Sequence, residues 1–251
     1  MSLHFALRVC KLFQPRMPRS CFNKTTNINF LKFDILSQNN LHKLFNSRQT
    51  FCTGLPQKEK MSSFPIPDAS QVPEDLQKLM ENAKEKGGFI PNVFQALSHR
   101  PEELRAFVKF YDAIMEDRNG GHLTKADKEM IVVAVSSYNK CRYCIIAHSA
   151  LFRIYSKNKL LADQVAANWE TADLDERQKV ILQFAMKVTK CEALSEKDFE
   201  TLTQHGLDRE DAWDIGSVVA FFSLSNRMAY LTSMVPNEEF YLLGRVPKQK
   251  K

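Results

Sequence analysis

The 251-residue sequence predicts an all-α domain behind a basic leader, and three observations carry that prediction. Between Pro101 and Pro236 there is no proline, and the same stretch holds only Gly120, Gly121, Gly206 and Gly216, so little interrupts a helical backbone. No run alternates apolar and polar residues for long enough to make a strand. Helix starts and stops are instead marked by capping residues at regular intervals.

Taken in order, the first helix is expected over 73–86 and is stopped by Gly87-Gly88. The second, over 101–118, places Pro101 at a first helical position, where its missing N–H costs nothing, and ends at Asn119-Gly120-Gly121. The third, over 125–138, opens with the capping box Thr124-Lys-Ala-Asp127. Its residues 130–135 are apolar on every side, which makes it the central helix. Asn139 and Lys140 interrupt the pattern, and a new helix follows over 141–156. Helices over 159–168 and 174–190 come next, the latter with a one-sided stripe of Val180, Ile181, Phe184 and Val188. Ser195-Glu-Lys-Asp198 caps a helix over 196–204 that stops at His205-Gly206, and Asp208 precedes the last long helix, over 209–231.

The composition, 44% apolar and 25% charged, is that of a globular protein and excludes disorder, collagen and coiled coil for the chain as a whole. Its charge is uneven. Residues 1–60 hold ten Lys and Arg against Asp34 and Glu59, a local +8, while the remainder has 25 basic and 27 acidic residues, a net −2. The body therefore offers no basic field for nucleic acid or an anionic membrane. Apolar runs such as Met130 to Val135 reach about a third of the roughly 20 residues that a spanning helix needs.

Residues 1–33 lack Asp and Glu but carry Arg8, Lys11, Arg16, Arg19, Lys24 and Lys32, which is the chemistry of a mitochondrial transit peptide. The expected organisation is a leader over 1–60 and one helical domain over 61–251, with initiation at Met61 giving a leaderless cytoplasmic form. Several one-sided helices in a body of this size predict a homo-oligomer that covers the faces left apolar.

One constellation carries chemistry. Cys141-Arg-Tyr-Cys144 is followed by His148, and helical offsets of three and seven put both thiols and the imidazole within roughly 60° of one face. Cys141 falls in the first turn, where free N–H groups and the helix dipole favour a thiolate, and where solvent and a bulky reductant are expected to reach it. If the two helices fold back about residue 139, Glu129 and His148 each lie roughly 13–15 Å along their helix from the bend and can face each other. Glu129 is also anomalous in an apolar helix, since a buried carboxylate demands a partner. A zinc site would need four ligands, and the sequence has no second CxxC and no HxxxH. Covalent haem attachment would need a histidine where Ile145 stands. Cys10, Cys21 and Cys52 fall in the leader, and Cys191 stands alone.

At these residues the chain resembles the alkylhydroperoxidase D-like proteins of the carboxymuconolactone decarboxylase superfamily, whose pattern is Glu-x11-Cys-x-x-Cys-x3-His. It is most similar to the branch called peroxidase-related enzymes, through Phe64-Pro-Ile-Pro, Gly88-Phe-Ile-Pro-Asn-Val-Phe, His99-Arg-Pro, Ala220-Phe-Phe, Asn226-Arg227 and Glu239-Phe-Tyr, over residues 62–245. The resemblance implies an oligomeric all-helical fold and thiol-dependent reduction of hydroperoxides without a cofactor. Cys144 would be the peroxidatic thiol, Cys141 the resolving thiol, and Glu129 and His148 the proton relay. A Cys141–Cys144 disulfide would then be reduced by an external dithiol, thioredoxin-like or lipoyl. One departure bears on the relay: Tyr143 stands where the family's well-known peroxidase has a second histidine. The competing functions are a disulfide oxidoreductase acting on proteins, a lactone-type decarboxylase, which has no need of a CxxC, and a sestrin-like stress-response protein acting through partners.

Overall fold

The computed structural model describes residues 60–245, so the leader expected over 1–60 lies, apart from Lys60, outside the described residues. Among the described residues there are ten α-helices and no strand. In chain order they are α1 (Glu74–Gly87), α2 (Asn92–Leu97), α3 (Pro101–Met115), α4 (Lys125–Tyr138), α5 (Arg142–Ser156), α6 (Leu161–Asn168), α7 (Glu176–Thr189), α8 (Glu196–Gln204), α9 (Arg209–Leu231) and α10 (Glu239–Leu242). The capping boxes at Thr124, Ser195 and Asp208 are all formed, each with its Asp three residues on returning a bond to the cap backbone.

The fold is organised by α4. Ten successive residues, Asp127 to Ser136, are buried, so this stretch of the helix has no solvent face. It packs antiparallel on α5 and is surrounded by α6, α7 and α9. Even its buried lysine is used internally: Lys128 Nζ donates to the carbonyls of Ile114 (3.1 Å) and Glu116 (2.5 Å) at the end of α3. A cation there complements the helix dipole and takes carbonyls that have no intrahelical partner. That contact accounts for α3 ending at Met115 instead of at 118, because Glu116 turns to an extended conformation where Lys128 meets it.

The ends of the described chain are tied to the body. Thr232 O accepts from the Ser63 N–H at 2.7 Å, and Met61 O accepts from the Val235 N–H at 3.1 Å. Arg153, buried in α5, donates from Nε to Leu243 O (2.8 Å) and from Nη2 to Phe240 O (3.0 Å), fastening α10 across α5. Gly244 has φ +74°, and a Cβ there would sit 2.8 Å from Arg153 Cβ, so this close approach requires glycine. Along α9, Trp213, Leu224, Tyr230 and Leu231 are exposed. No helix among the described residues is long and apolar enough to cross a membrane.

Candidate active site

The turn from α4 to α5 sets the geometry of the site. Asn139 ends α4 in helical conformation, and Lys140 follows with φ +58° in the left-handed region. The Cys141 N–H donates to Ser136 O at 2.9 Å and the Lys140 N–H to Ser137 O at 3.0 Å. This is the pattern of a Schellman motif, with lysine at the position usually given to glycine. The reversal brings Cys141 to the N-cap of α5, where its Sγ accepts from the Cys144 backbone N–H at 3.4 Å.

Folding back at that turn also aligns the two polar residues deeper in the hairpin. Glu129 Oε2 lies 2.7 Å from His148 Nδ1, with the carboxylate side chain 2% and the imidazole 11% exposed. The anomalous carboxylate of α4 thus has its partner on α5. The His148 ring packs edge-on against Phe222 of α9, centroids 4.7 Å apart. Its Nδ1 being engaged by the carboxylate, Nε2 is the nitrogen left for proton transfer.

Cys144 and His148 line one small cavity of about 30 Å³, walled mainly by Tyr111, Tyr143, Phe221, Phe222 and Phe240. That space holds about two water-sized atoms. Beyond the wall formed by Phe107 and Phe221 (centroids 4.7 Å) lies an open apolar groove of about 780 Å³ that shares both rings. Cys141 is not among the residues lining the small cavity. The expectation that Cys141 is open to solvent is corrected: it is 3% exposed, because the Schellman turn folds it under α9.

The two thiols are not equivalent. The hydrogen bond with Cys144, together with the backbone N–H groups of Cys144 and Tyr143, holds the Cys141 thiol below its ordinary value despite burial. Cys144 is pushed well up, by the Cys141 sulfur beside it and by burial in an apolar wall. Of the two, Cys141 is thus the thiol more readily deprotonated, as the helix start dictates. Tyr143 is fully buried and its hydroxyl accepts from the Val93 N–H of α2 at 3.2 Å. Burial drives its phenol far up, so it tethers α2 and does not titrate.

A model of the carboxymuconolactone decarboxylase family matches residues 101–185, which contain the whole α4–α5 hairpin. The solved structure of an uncharacterized peroxidase-related protein with an alkylhydroperoxidase AhpD core, from Ralstonia eutropha JMP134, is 49% identical; the match covers 76% of this chain and 100% of that one, with a TM-score of 0.73. The chain is an alkylhydroperoxidase D-like member of the carboxymuconolactone decarboxylase superfamily. A second uncharacterized peroxidase-related protein, from Silicibacter sp. TM1040, is 38% identical over 76% of this chain and all of that one, with a TM-score of 0.71. The debrominase Bmp8 is 18% identical over 75% and 97% of the two chains, with a TM-score of 0.59, and shares the fold. Comparison with curated proteins gives no match.

For this alkylhydroperoxidase D-like chain, the motif pairs Cys141 with Cys144 at the turn of the α4–α5 hairpin and Glu129 with His148 farther along it, and Cys144 and His148 meet in one cavity. Outside it, His122, Asp208 and Asp211 bring possible metal ligands within 4.8 Å of one another. Arg118 Nη2 already donates to Asp211 at 3.0 Å and Nε to Asp214 at 3.0 Å, so this cluster is an ion-pair network at the start of α9. Sequence reasoning did not single out Asn226 and Ser225 as site residues, although both border the thiols from α9.

Proposed function

We propose that this protein is a thiol peroxidase that reduces hydroperoxides through Cys144 and Cys141, with Glu129 and His148 as its proton relay. The observation that carries the reading is the buried 2.7 Å Glu129–His148 pair, whose imidazole opens onto the same cavity as the Cys144 thiol. The peroxidase-related relatives support an antioxidant role at the coarser level.

In this scheme Glu129 holds Nδ1–H, and Nε2 takes the Cys144 proton as the sulfur attacks one peroxide oxygen. The O–O bond breaks, the leaving oxygen takes the proton from His148 and departs as alcohol or water, and Cys144 becomes a sulfenic acid. Cys141, one turn away and the more readily deprotonated of the two thiols, attacks that sulfur as its thiolate and expels hydroxide, which leaves as water after protonation. The resulting disulfide is reduced by two electrons from an external dithiol, thioredoxin-like or lipoyl. The cavity limits what reaches Cys144 to about the two oxygens of a peroxide, while an organic remainder would lie toward the groove beyond Phe107 and Phe221.

Serine variants test the assignment. Cys144→Ser is expected to abolish both peroxide consumption and sulfenic acid trapping, whereas Cys141→Ser allows one oxidation per chain and accumulates a trappable sulfenate. Sulfenate in Cys144→Ser and none in Cys141→Ser would reverse the roles. Peroxide turnover with a panel of dithiols separates this reading from a disulfide oxidoreductase acting on proteins. The acid-free residues 1–33 further support mitochondrial import with cleavage before residue 62. An intact Met1 on protein recovered from mitochondria would refute that.

A further inference from the structure

Ser225 of α9 faces the sulfur of Cys144. Its Oγ lies 3.9 Å from Cys144 Sγ, and it lines the same small cavity as Cys144 and His148. The side chain is buried in a wall built largely of Phe107, Phe221, Phe222 and Phe240. A hydroxyl so placed needs a partner, and a helical serine or threonine can find one in its own helix by donating to the carbonyl four residues back. Ser156, Thr189, Thr201 and Thr203 do so, at 2.6, 2.7, 2.7 and 3.1 Å. Ser225 does not: among the described residues, the Cys144 sulfur is the only hydrogen-bond partner of its hydroxyl. The register that aims it is fixed on both sides. Phe222, one turn earlier on the same face, packs edge-on against His148, so α9 presents a ring to the imidazole and a hydroxyl to the thiol. Asn226, the next residue, donates from Nδ2 to Ser136 Oγ at 3.0 Å and accepts at Oδ1 from Asn139 Nδ2 at 2.9 Å, which pins α9 to the turn that carries the dithiol.

We propose that Ser225 is a further catalytic residue, whose O–H donates to Cys144 Sγ and steadies the negative charge on that sulfur once His148 has taken its proton. A thiol has one proton to give. With that proton directed at His148 Nε2, the sulfur is left as the acceptor and the hydroxyl as the donor. A hydrogen bond to an ionised acceptor is shorter and about twice as strong as a neutral one, so a contact that is loose at 3.9 Å in this structure tightens when the thiolate forms. Stabilisation that grows as charge develops lowers the barrier and does not merely hold the resting state. Ser225 keeps its own proton throughout: no bond to it forms or breaks, and the electron pair that attacks the peroxide is the sulfur's. The need for a donor is greatest at this thiol, which the Cys141 sulfur and burial both push up.

The inference rests on Cys144 being the attacking thiol, so its test has one readout on the thiol and a second on peroxide. The full chain carrying Cys141→Ser is the reference, in which the titratable side chains that share the cavity with Cys144 are His148, Tyr111 and Tyr143. The Cβ resonance of Cys144, followed against pH by NMR in protein isotope-labelled at cysteine Cβ, gives the midpoint of the thiol without any reagent having to reach it. Ser225→Ala is expected to move that midpoint up by about one pH unit, and to slow single-turnover sulfenate formation by hydrogen peroxide at neutral pH about tenfold. Ser225→Thr and Ser225→Val share a shape and differ in the hydroxyl, so the threonine variant is expected to titrate lower than the valine variant by a similar margin. That pair carries the test if the wall collapses in Ser225→Ala. A merely structural hydroxyl would lower the melting temperature and leave the midpoint in place. Midpoints that superimpose, for alanine on serine or for valine on threonine, overturn the proposal. A shifted midpoint in protein that peroxide never oxidises upholds the donation to Cys144 and refutes the peroxidase reading instead.

Discussion

Replacing Glu129 by glutamine leaves the shape of the proton relay intact and removes its charge. The amide oxygen of glutamine can still accept from His148 Nδ1, so the 2.7 Å contact survives as a neutral hydrogen bond. What is lost is stabilisation of the imidazolium that forms when Nε2 takes a thiol proton. Charge-assisted hydrogen bonds exceed neutral ones by about 1–1.5 kcal/mol, which sets the lower bound. With both groups almost fully buried, the Coulomb attraction of unit charges about 4 Å apart is about 4 kcal/mol at an effective dielectric constant near 20, which sets the upper bound. The corresponding slowing is between about 10-fold and 10³-fold, centred near 10². The assay is single-turnover oxidation of Cys141→Ser, with and without Glu129→Gln, followed by sulfenate trapping under rapid mixing. Resolution by a second thiol is then out of the measurement. Oxidation rates within a factor of two, in variants with unchanged helicity, would refute the relay; a loss confined to multiple turnover would move the role of Glu129 to a later step.

Other outcomes follow from features around the site. Lys140→Gly relieves a left-handed φ of +58° in the Schellman turn, and after the extra entropy of glycine in the unfolded chain it is expected to stabilise by about 0.5–1 kcal/mol in denaturant unfolding; a destabilised variant would contradict the strain argument. Asp198, bonded to Lys187 and to the Ser195 cap, is held down to about 2, so its contribution to stability is complete above the unfolded value near 3.8 and disappears as pH falls toward 2. The melting temperatures of the unmodified protein and Asp198→Asn should therefore differ at pH 6 and converge toward pH 2. Exposed Trp213, Leu224, Tyr230 and Leu231 support the proposed homo-oligomer, and a monomeric mass by light scattering at micromolar concentration would exclude it.

Most of the fold was legible because its boundaries are local. Thr124, Ser195 and Asp208 cap through residues three positions away, and Gly88 and Gly206 stop helices through their own positive φ. The two helices the sequence did not announce, α2 and α10, have six and four residues, too few to display a period of 3.6. Tertiary contacts explain their presence: Asn237 Oδ1 accepts from the Asn92 N–H at 2.8 Å, and Arg153 takes the Phe240 carbonyl. At the site, the Glu129–His148 pairing was legible from spacing about the bend, since helix rise alone brings equal distances into register. The partners supplied by α9 were not. Asn226 lies 90 positions from Ser136, and nothing local to it signals a sulfur neighbour. The opposite shifts of Cys141 and Cys144 were legible in part from the helix start, but the burial that helps raise Cys144 depends on rings contributed by α3, α9 and α10.

The fastening of α10 by Arg153 has a consequence in time. The chain is made, and threaded through any translocation pore, from its N-terminus, so the dithiol emerges well before the parts that enclose it. Ser225 follows Cys144 by 81 residues, and the Phe240 carbonyl that Arg153 holds lies 87 residues beyond that arginine. Until those last segments arrive, the hairpin presents two adjacent thiols without their cover, free to exchange with any disulfide they meet. Enclosure waits for the C-terminal end of the fold, so the two thiols are less covered in the nascent protein than in the finished one.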